Sequence, residues 1–286
     1  MKRARIEFCA LRDAALKIDS KPLAGKRLVI TRAPEQAQEM IHALEAFGAE
    51  VLLLPMVEFA PPEDWHELDD ALRKLSGFDA ILFLSRNAVR YIFNRSRELG
   101  IKCEPLQSSN CLIAAVGPGT AEAIALEGWR VDCVAKGQNG ESLVKELGSR
   151  LAGKRVMLPR SDRGDERLSK ALRAAGAELT EVIAYRTTAP VTMDLGLLAR
   201  VSGGGVDAVI FSSPSAFHTF SDCLGESAVV NLSTWIHFAA IGPTTASAIR
   251  GAGARVEIEA AEPSASALAN AVAMYYQRQA ARVRLA

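Results

Sequence analysis

The chain has 286 residues, enough for one large domain or two ordinary ones, with 49% hydrophobic and 23% charged residues. A net charge of +1 gives no electrostatic field for nucleic acid or anionic lipid, and 6% aromatics leave few platforms on which bases could stack. No apolar run reaches the ~18 residues of a membrane span, and the five scattered cysteines contain no CxxC, so reduced thiols in a cytoplasmic protein and no metal are expected.

Residues 1–22 begin basic, but Glu7, Arg12 and Asp13 interrupt any apolar region. The expectation is a short extension outside the fold. Arg27–Thr31 then reads as a short buried strand, and Glu50–Pro55 as a second, after a helical pattern and the turn "FGAE". "PMVEFAPPED" follows, extended and proline-ended. Ala80–Leu84 and Leu112–Val116 are further buried strands, each leading into a helix, through "SRNAV" and "GPGTAEAI" respectively. From Leu151 the pattern restarts. "LAGKRLVITR" at Leu23 returns as "LAGKRVMLPR" at Leu151. "GAE" at Gly48 returns at Gly176, and "FDAILFLSRNAV" returns as "VDAVIFSSPSAF", both at the same spacing. "AVGPGTAEAI" at Ala115 returns as "AIGPTTASAI" at Ala240, with 10 identities over 17 positions. "AYRTTAPVTMD" stands where "PMVEFAPPED" stood. Order-preserving similarity at one long spacing is a tandem duplication. The predicted fold is therefore α/β: two flavodoxin-like, doubly wound parallel-sheet lobes, joined by two extended connectors with a cleft between.

In such sheets ligands sit beyond the carboxyl ends of the strands. There the chain places hydroxyls and guanidinium groups: Arg32, Ser85, Arg160, Ser213 and, opening the two Gly-Pro helices, Thr120, Thr244 and Thr245. Helix N-termini with free N–H groups suit anions, so a ligand bearing several carboxylates fits. Ordinary helix capping by Thr120 and Thr245, and solvated arginines, are the competing readings. No complete dinucleotide fingerprint, P-loop or nucleophile elbow occurs, and His42, His66, His218 and His237 lack metal spacing. Two lobes with two connectors would equally describe a binding or sensor protein that closes on a small polar ligand without chemistry.

The run "LAGKRLVITR", "GAEVLLLP", "LSRNAV", "AVGPGTAEAI", "AYRT", "FSSPSA", "AIGPTTASAI" resembles the uroporphyrinogen-III synthase family over about residues 23–275. It departs at Leu84, where the family usually carries threonine. The resemblance implies a monomeric, cofactor-free cytoplasmic lyase of tetrapyrrole biosynthesis. It would cyclise the linear hydroxymethylbilane to uroporphyrinogen III, inverting ring D through a spiro intermediate. It implies lobes of 23–56 plus 190–286 and of 60–185. Its tyrosine position falls on Tyr185, the expected proton donor to the leaving hydroxyl. Thr120, Thr245, Thr244, Ser85 and Ser213 become binders of substrate carboxylates, with Arg32, Arg160 and Arg186 as electrostatic candidates.

Overall fold

The computed structural model describes residues 21–101, 110–136, 140–164 and 166–285. Most of the expected 1–22 extension lies outside them. The chain divides into two compact units, one running up to Glu58 and resuming at Ala189, the other Phe59–Thr188. Both are α/β with parallel sheets.

The first unit holds β1 (Arg27–Ile30), α1 (Pro34–Ala46) and β2 (Glu50–Leu53), then, after the second unit, α7 (Leu195–Ser202), β9 (Ala208–Phe211), α8 (Pro214–Leu224), α9 (Glu226–Leu232), β10 (His237–Ala240), α10 (Pro243–Gly251), β11 (Ile258–Glu259) and α11 (Ala265–Leu285). Its strands lie in the order β2-β1-β9-β10-β11, every pair parallel. That is the doubly wound 2-1-3-4-5 order. Side chains alternate across a strand, so each strand feeds two cores. Leu28, Ile30 and Ile210 pack with α1 and α11 through Met40, Leu44 and Leu268. On the next strand position along, Phe211 meets Phe217, Phe220 and Phe238 edge-on at 5.3–5.4 Å.

The second unit runs β3 (Glu58–Ala60), α2 (His66–Arg73), β4 (Ala80–Phe83), α3 (Arg86–Glu98), β5 (Leu112–Ala115), α4 (Pro118–Leu126), β6 (Cys133–Val134), α5 (Gly140–Leu147), β7 (Arg155–Ser161), α6 (Glu166–Ala174) and β8 (Glu178–Thr188). The sheet order is β3-β8-β7-β4-β5-β6. Counting from β7, this is again 2-1-3-4-5, with β3 added at the edge. Ile81, Phe83 and Met157 face α2, α3 and α4, whereas Leu82, Val156 and Leu158 face α5 and α6. Covering both faces is what makes these strands continuous apolar runs.

Local bonds recur at the sequence spacing. Asp207 accepts from the Arg27 amide at 2.8 Å, and Asp79 from the Arg155 amide at 2.9 Å. Glu257 accepts from the Phe238 amide at 3.1 Å, and Asp132 from the Ile113 amide at 2.8 Å. After α1 and α6 the chain turns through Gly48 and Gly176 at φ 92° and 85°, a left-handed stop that a Cβ would strain.

Two readings are corrected. Neither Thr120 nor Thr245 caps its helix. The N-cap positions are Gly117 and Gly242, followed by a proline, so each threonine falls on the third helical residue and turns inward. The proline fixes that register, because it takes the first helical position, where its missing N–H costs nothing. And "AYRTT" is no free connector: β8 continues through Thr188, lying beside β3.

Candidate functional site

Parallel strands bring every carboxyl end to one edge of each sheet. In the second unit that edge collects Ser85 after β4, Gly117–Thr120 after β5, Arg160 and Ser161 at the end of β7, and Tyr185 in β8. Ser85 is the N-cap of α3: its backbone is extended and its Oγ accepts from the Ala88 amide at 3.1 Å. The same Oγ lies 3.0 Å from the Tyr185 hydroxyl. Serine therefore serves two purposes, stopping the helix and fixing a phenol 100 residues away in sequence.

Tyr185 is 7% exposed. Its ring stacks on Tyr91 at 5.6 Å and 16°, and meets Phe59 edge-on at 5.7 Å. Tyr91 is itself pinned, donating to the Phe59 carbonyl at 2.7 Å. Where β7 pairs with β8 the register slips between Arg160 and Ser161, so Ser161 faces Tyr185. Such bulges re-aim side chains. Asp162 follows: its amide donates to the Tyr185 carbonyl at 3.2 Å, and its Oδ1 accepts from Ser161 Oγ at 2.8 Å and the Thr187 amide at 3.0 Å. Burial pushes the Tyr185 phenol above its ordinary 10. The charge of Asp162 pushes the same way, while hydrogen bonds from Ser85 and Asn87 and the charge of Arg90 pull back without reversing it. At neutral pH the group is a protonated hydroxyl able to donate.

The other predicted residues fall into three sets. Thr120 is buried in the first turn of α4, close in chain to Gly119, over which Arg86 lies. In the first unit, Ser213 caps α8 by accepting from the Ala216 amide at 3.2 Å and lies 3.1 Å from Ser215 Oγ. Beside it Ser212 Oγ is buried without a hydrogen-bond partner. Because β9 and β10 pair, the α10 N-terminus follows on the neighbouring strand, with Thr245 buried and Thr244 exposed. Arg32 follows β1 half-buried, its Nε 3.4 Å from Gln36 Oε1. The remaining arginines are engaged elsewhere. Arg160 Nε lies 3.4 Å from Glu181 Oε2, outside hydrogen-bonding geometry, while its Nη1 donates to the Gly164 carbonyl. Glu181 also accepts from Ser169 and Arg173. Arg186 donates to Glu63 at 2.5 Å and to the Pro61 carbonyl at 3.0 Å, on the wall of a cavity of about 500 Å³ that Asp64 and Asp162 also line.

Sequence reading missed Tyr91, Phe59 and Asp162 as neighbours of the phenol. Asn87 and Arg86, in the quoted "SRNAV", were read only as part of a polar strand end facing an anionic ligand, without individual roles.

The family model described as uroporphyrinogen-III synthase HemD matches residues 38–270. The chain belongs to the uroporphyrinogen-III synthase family. A synthase of Synechococcus elongatus is 31% identical over 246 residues, which is 85% of this chain and 92% of that relative. One from Chlorobaculum parvum is 24% identical over 236 residues, 82% and 92% of the two chains. Among solved structures, a mutant uroporphyrinogen III synthase from Thermus thermophilus aligns with a TM-score of 0.61 at 20% identity, covering 88% of this chain and 99% of that one. The Helicobacter pylori protein aligns at 0.59 and 18%, covering 87% and 99%. At those identities the structures show the fold, an α/β architecture with parallel sheets, and the sequence relatives show the family. Family membership places the chain among the lyases of porphyrin biosynthesis. The binding-protein alternative gains no support from these relatives. No helix among the described residues is long and apolar enough to cross a membrane.

Proposed function

We propose that this chain converts hydroxymethylbilane to uroporphyrinogen III, with Tyr185 as general acid. The observation that carries the assignment is the buried Tyr185 hydroxyl 3.0 Å from Ser85 Oγ, at the carboxyl ends of β8 and β4. The Tyr185 proton goes to the terminal hydroxyl of the bilane, the C–O bond breaks, and water leaves. The lone pair of the adjacent pyrrole nitrogen forms the exocyclic double bond of an azafulvene. Ring D is attacked at its substituted carbon, giving a spiro intermediate that fragments and recloses inverted. Rearomatisation on closure releases one proton, which restores the phenol. Ser85 stabilises the transient phenolate by donating its own hydrogen while still accepting from Ala88.

Water departs readily from such a pyrrole, so the protein's larger task is choosing the inverted product. Reversing a 1:99 ratio to 99:1 takes about 5.5 kcal/mol of differential stabilisation. A few charge-assisted hydrogen bonds of ~1.5–3 kcal/mol each suffice. Thr120, Thr245, Thr244, Ser85, Ser213 and Arg32, with the first-turn amides of α4 and α10, are proposed as binders of the substrate carboxylates. Arg160 and Arg186 act through field rather than contact, since Glu181 and Glu63 hold them.

The proposal extends to origin and setting. The two units derive from a tandem duplication, supported by the recurring strand order and by the paired bonds of Asp79 and Asp207 at the spacing of the repeat. Lobes of 23–56 plus 190–286 and of 60–185, with the second crossing between them following the end of β8 rather than running through "AYRTT", and a cytoplasmic monomer without cofactor complete the reading.

The test is to supply freshly generated hydroxymethylbilane, oxidise the products and resolve isomers I and III by chromatography. Predominant isomer III is expected. Isomer I at the rate without protein, from a folded sample, overturns the assignment.

A further inference from the structure

We propose that Arg86 is a carboxylate-binding, specificity-determining residue, and that Gly119 exists to seat its guanidinium at the entrance of α4. The inference rests on the synthase reading above and gives individual roles to one residue each of "LSRNAV" and "AVGPGTAEAI".

Arg86 is the first residue of α3, next to Ser85, and its side chain is exposed. Its guanidinium lies against Gly119, the second residue of α4. A Cβ on Gly119 would stand 2.2 Å from Nη2, 2.6 Å from Nε and 2.7 Å from Cζ. Gly119 sits in ordinary helical backbone, where any residue fits and where glycine is a poor helix former. A Cβ there would displace the guanidinium, which can move aside because its side chain is flexible and exposed.

The other half of the chain supplies an internal comparison. At the spacing that carries Asp79 to Asp207, Arg86 falls on Pro214. At the spacing that carries Gly117 to Gly242, Gly119 falls on Thr244. Where the arginine is absent, a β-branched side chain occupies the equivalent helical position. Gly and Arg occur together, and Thr and Pro occur together.

The charge is placed against the local field. Arg86 stands in the first turn of its own helix and over the first turn of a second one, two positive dipole ends. Among the described residues no carboxylate pairs with it. A cation there gains its partner only when an anion arrives. The guanidinium fork matches a carboxylate bidentately, and it lies over the first turn of α4, whose dipole favours an anion. The anion so held lies close to the chemistry, because Ser85, bonded to Tyr185, is the adjacent residue.

Four variants test the pair: Arg86→Ala, Gly119→Ala, the two combined, and the transplanted Arg86→Pro with Gly119→Thr. KM and kcat for hydroxymethylbilane, the isomer III fraction and thermal unfolding are measured for each. Arg86→Ala should raise KM about tenfold with kcat changed less than about threefold, the mark of lost ground-state binding. Its melting temperature should not fall, because the side chain is exposed. Gly119→Ala should raise KM in the same direction by displacing the guanidinium, and should add nothing in the Arg86→Ala background. The transplanted pair should fold and show the Arg86→Ala kinetics. An unchanged KM in Arg86→Ala, with wild type making isomer III, overturns the inference alone. So does a Gly119→Ala loss that persists undiminished in the Arg86→Ala background. If wild type makes only isomer I, the synthase reading itself fails, and the inference with it.

Discussion

Tyr185→Phe and Ser85→Ala should exchange rank between stability and activity, and this crossing separates chemistry from architecture. The phenylalanine keeps the ring between Tyr91 and Phe59 and deletes only the hydroxyl, with its bonds to Ser85 and Asn87. Net hydrogen bonds are worth ~0.5–1.5 kcal/mol each, and removing the buried oxygen also removes a desolvation cost, so a loss of about 1 kcal/mol is expected. Ser85→Ala loses the same contact to Tyr185 and also the cap on Ala88, which is worth ~1 kcal/mol on its own, and leaves the phenol short of a partner. A total of about 2 kcal/mol follows, or roughly 4–8 °C in melting temperature at ~2–4 °C per kcal/mol. In turnover the order reverses. A general acid contributes typically ~10²–10⁴, and the pyrrole's own push reduces that, so Tyr185→Phe should slow isomer III formation at least about tenfold, or ~1.4 kcal/mol in the barrier. Ser85→Ala should slow it less, since the phenol remains. The assay is the initial rate of isomer III at a temperature where both variants are folded, beside thermal unfolding of each. Full turnover by Tyr185→Phe refutes the acid. A larger rate loss in Ser85→Ala than in Tyr185→Phe transfers the chemistry to the serine.

The pH dependence has a definite sign. Burial raises the Tyr185 phenol above 10, so the acid stays competent as pH rises through 9. Its contribution to stability is full below the ordinary tyrosine value and is lost as pH climbs through the raised one. Tyr185→Phe should therefore lessen alkaline destabilisation in urea titrations above pH ~10. For Asp207 burial raises the carboxyl, but the Arg27 amide and Lys26 Nζ outweigh it and hold the group below the usual range. Asp207→Asn should cost about 1–3 kcal/mol at pH 7, measured by urea unfolding, and the difference from wild type should begin to shrink near pH ~4 and be lost as pH falls through the lowered folded value. Thr245→Ala should lower isomer III formation more than it lowers the melting temperature, since Gly242 and not Thr245 caps the helix. A stability loss of ~1 kcal/mol with full activity would return Thr245 to simple packing.

Much of this was legible because the sequence states it twice. A buried parallel strand reads as a short apolar run, and finding the same runs again at one long spacing fixed the strands without any knowledge of their partners. A serine followed by proline is a legible helix start, and Ser213 before Pro214 does cap its helix. The misreadings share a cause. Thr120 and Thr245 look like caps because threonine favours that position, yet the preceding glycine and proline claim it first. Tyr185 looked like connector because "RTTAP" ends in proline, but β3, three residues long, lies beside the far end of β8 and extends the sheet. Tyr91 and Phe59 were invisible as partners of Tyr185, since stacking between segments so far apart in sequence leaves no periodicity in the chain.

The pattern of what the two halves keep and what they change follows the asymmetry of the proposed reaction. Kept are the scaffold bonds of Asp79 and Asp207, the serine caps Ser85 and Ser213, the inward threonines Thr120 and Thr245, and an arginine after the first strand of each, Arg32 and Arg160. A polycarboxylate presents similar groups in many directions, so duplicated anion sites remain useful. The bilane has only one end bearing the leaving hydroxyl, so one acid suffices. At the spacing of the repeat, Tyr185 has Val57 as its earlier counterpart, a buried side chain with no proton to give. Arg86 with Gly119 likewise occurs once, in the same unit as that acid, against Pro214 and Thr244 in the first unit. Installing tyrosine at Val57 should therefore add no turnover even where the fold tolerates it, because Val57 belongs to the first unit, whereas the phenol's cage of Phe59 and Tyr91 and the arginine proposed to orient the substrate belong to the second. Rescue of the Tyr185→Phe variant by Val57→Tyr, read as recovered isomer III, would mean that the halves are interchangeable and that the acid owes nothing to its surroundings.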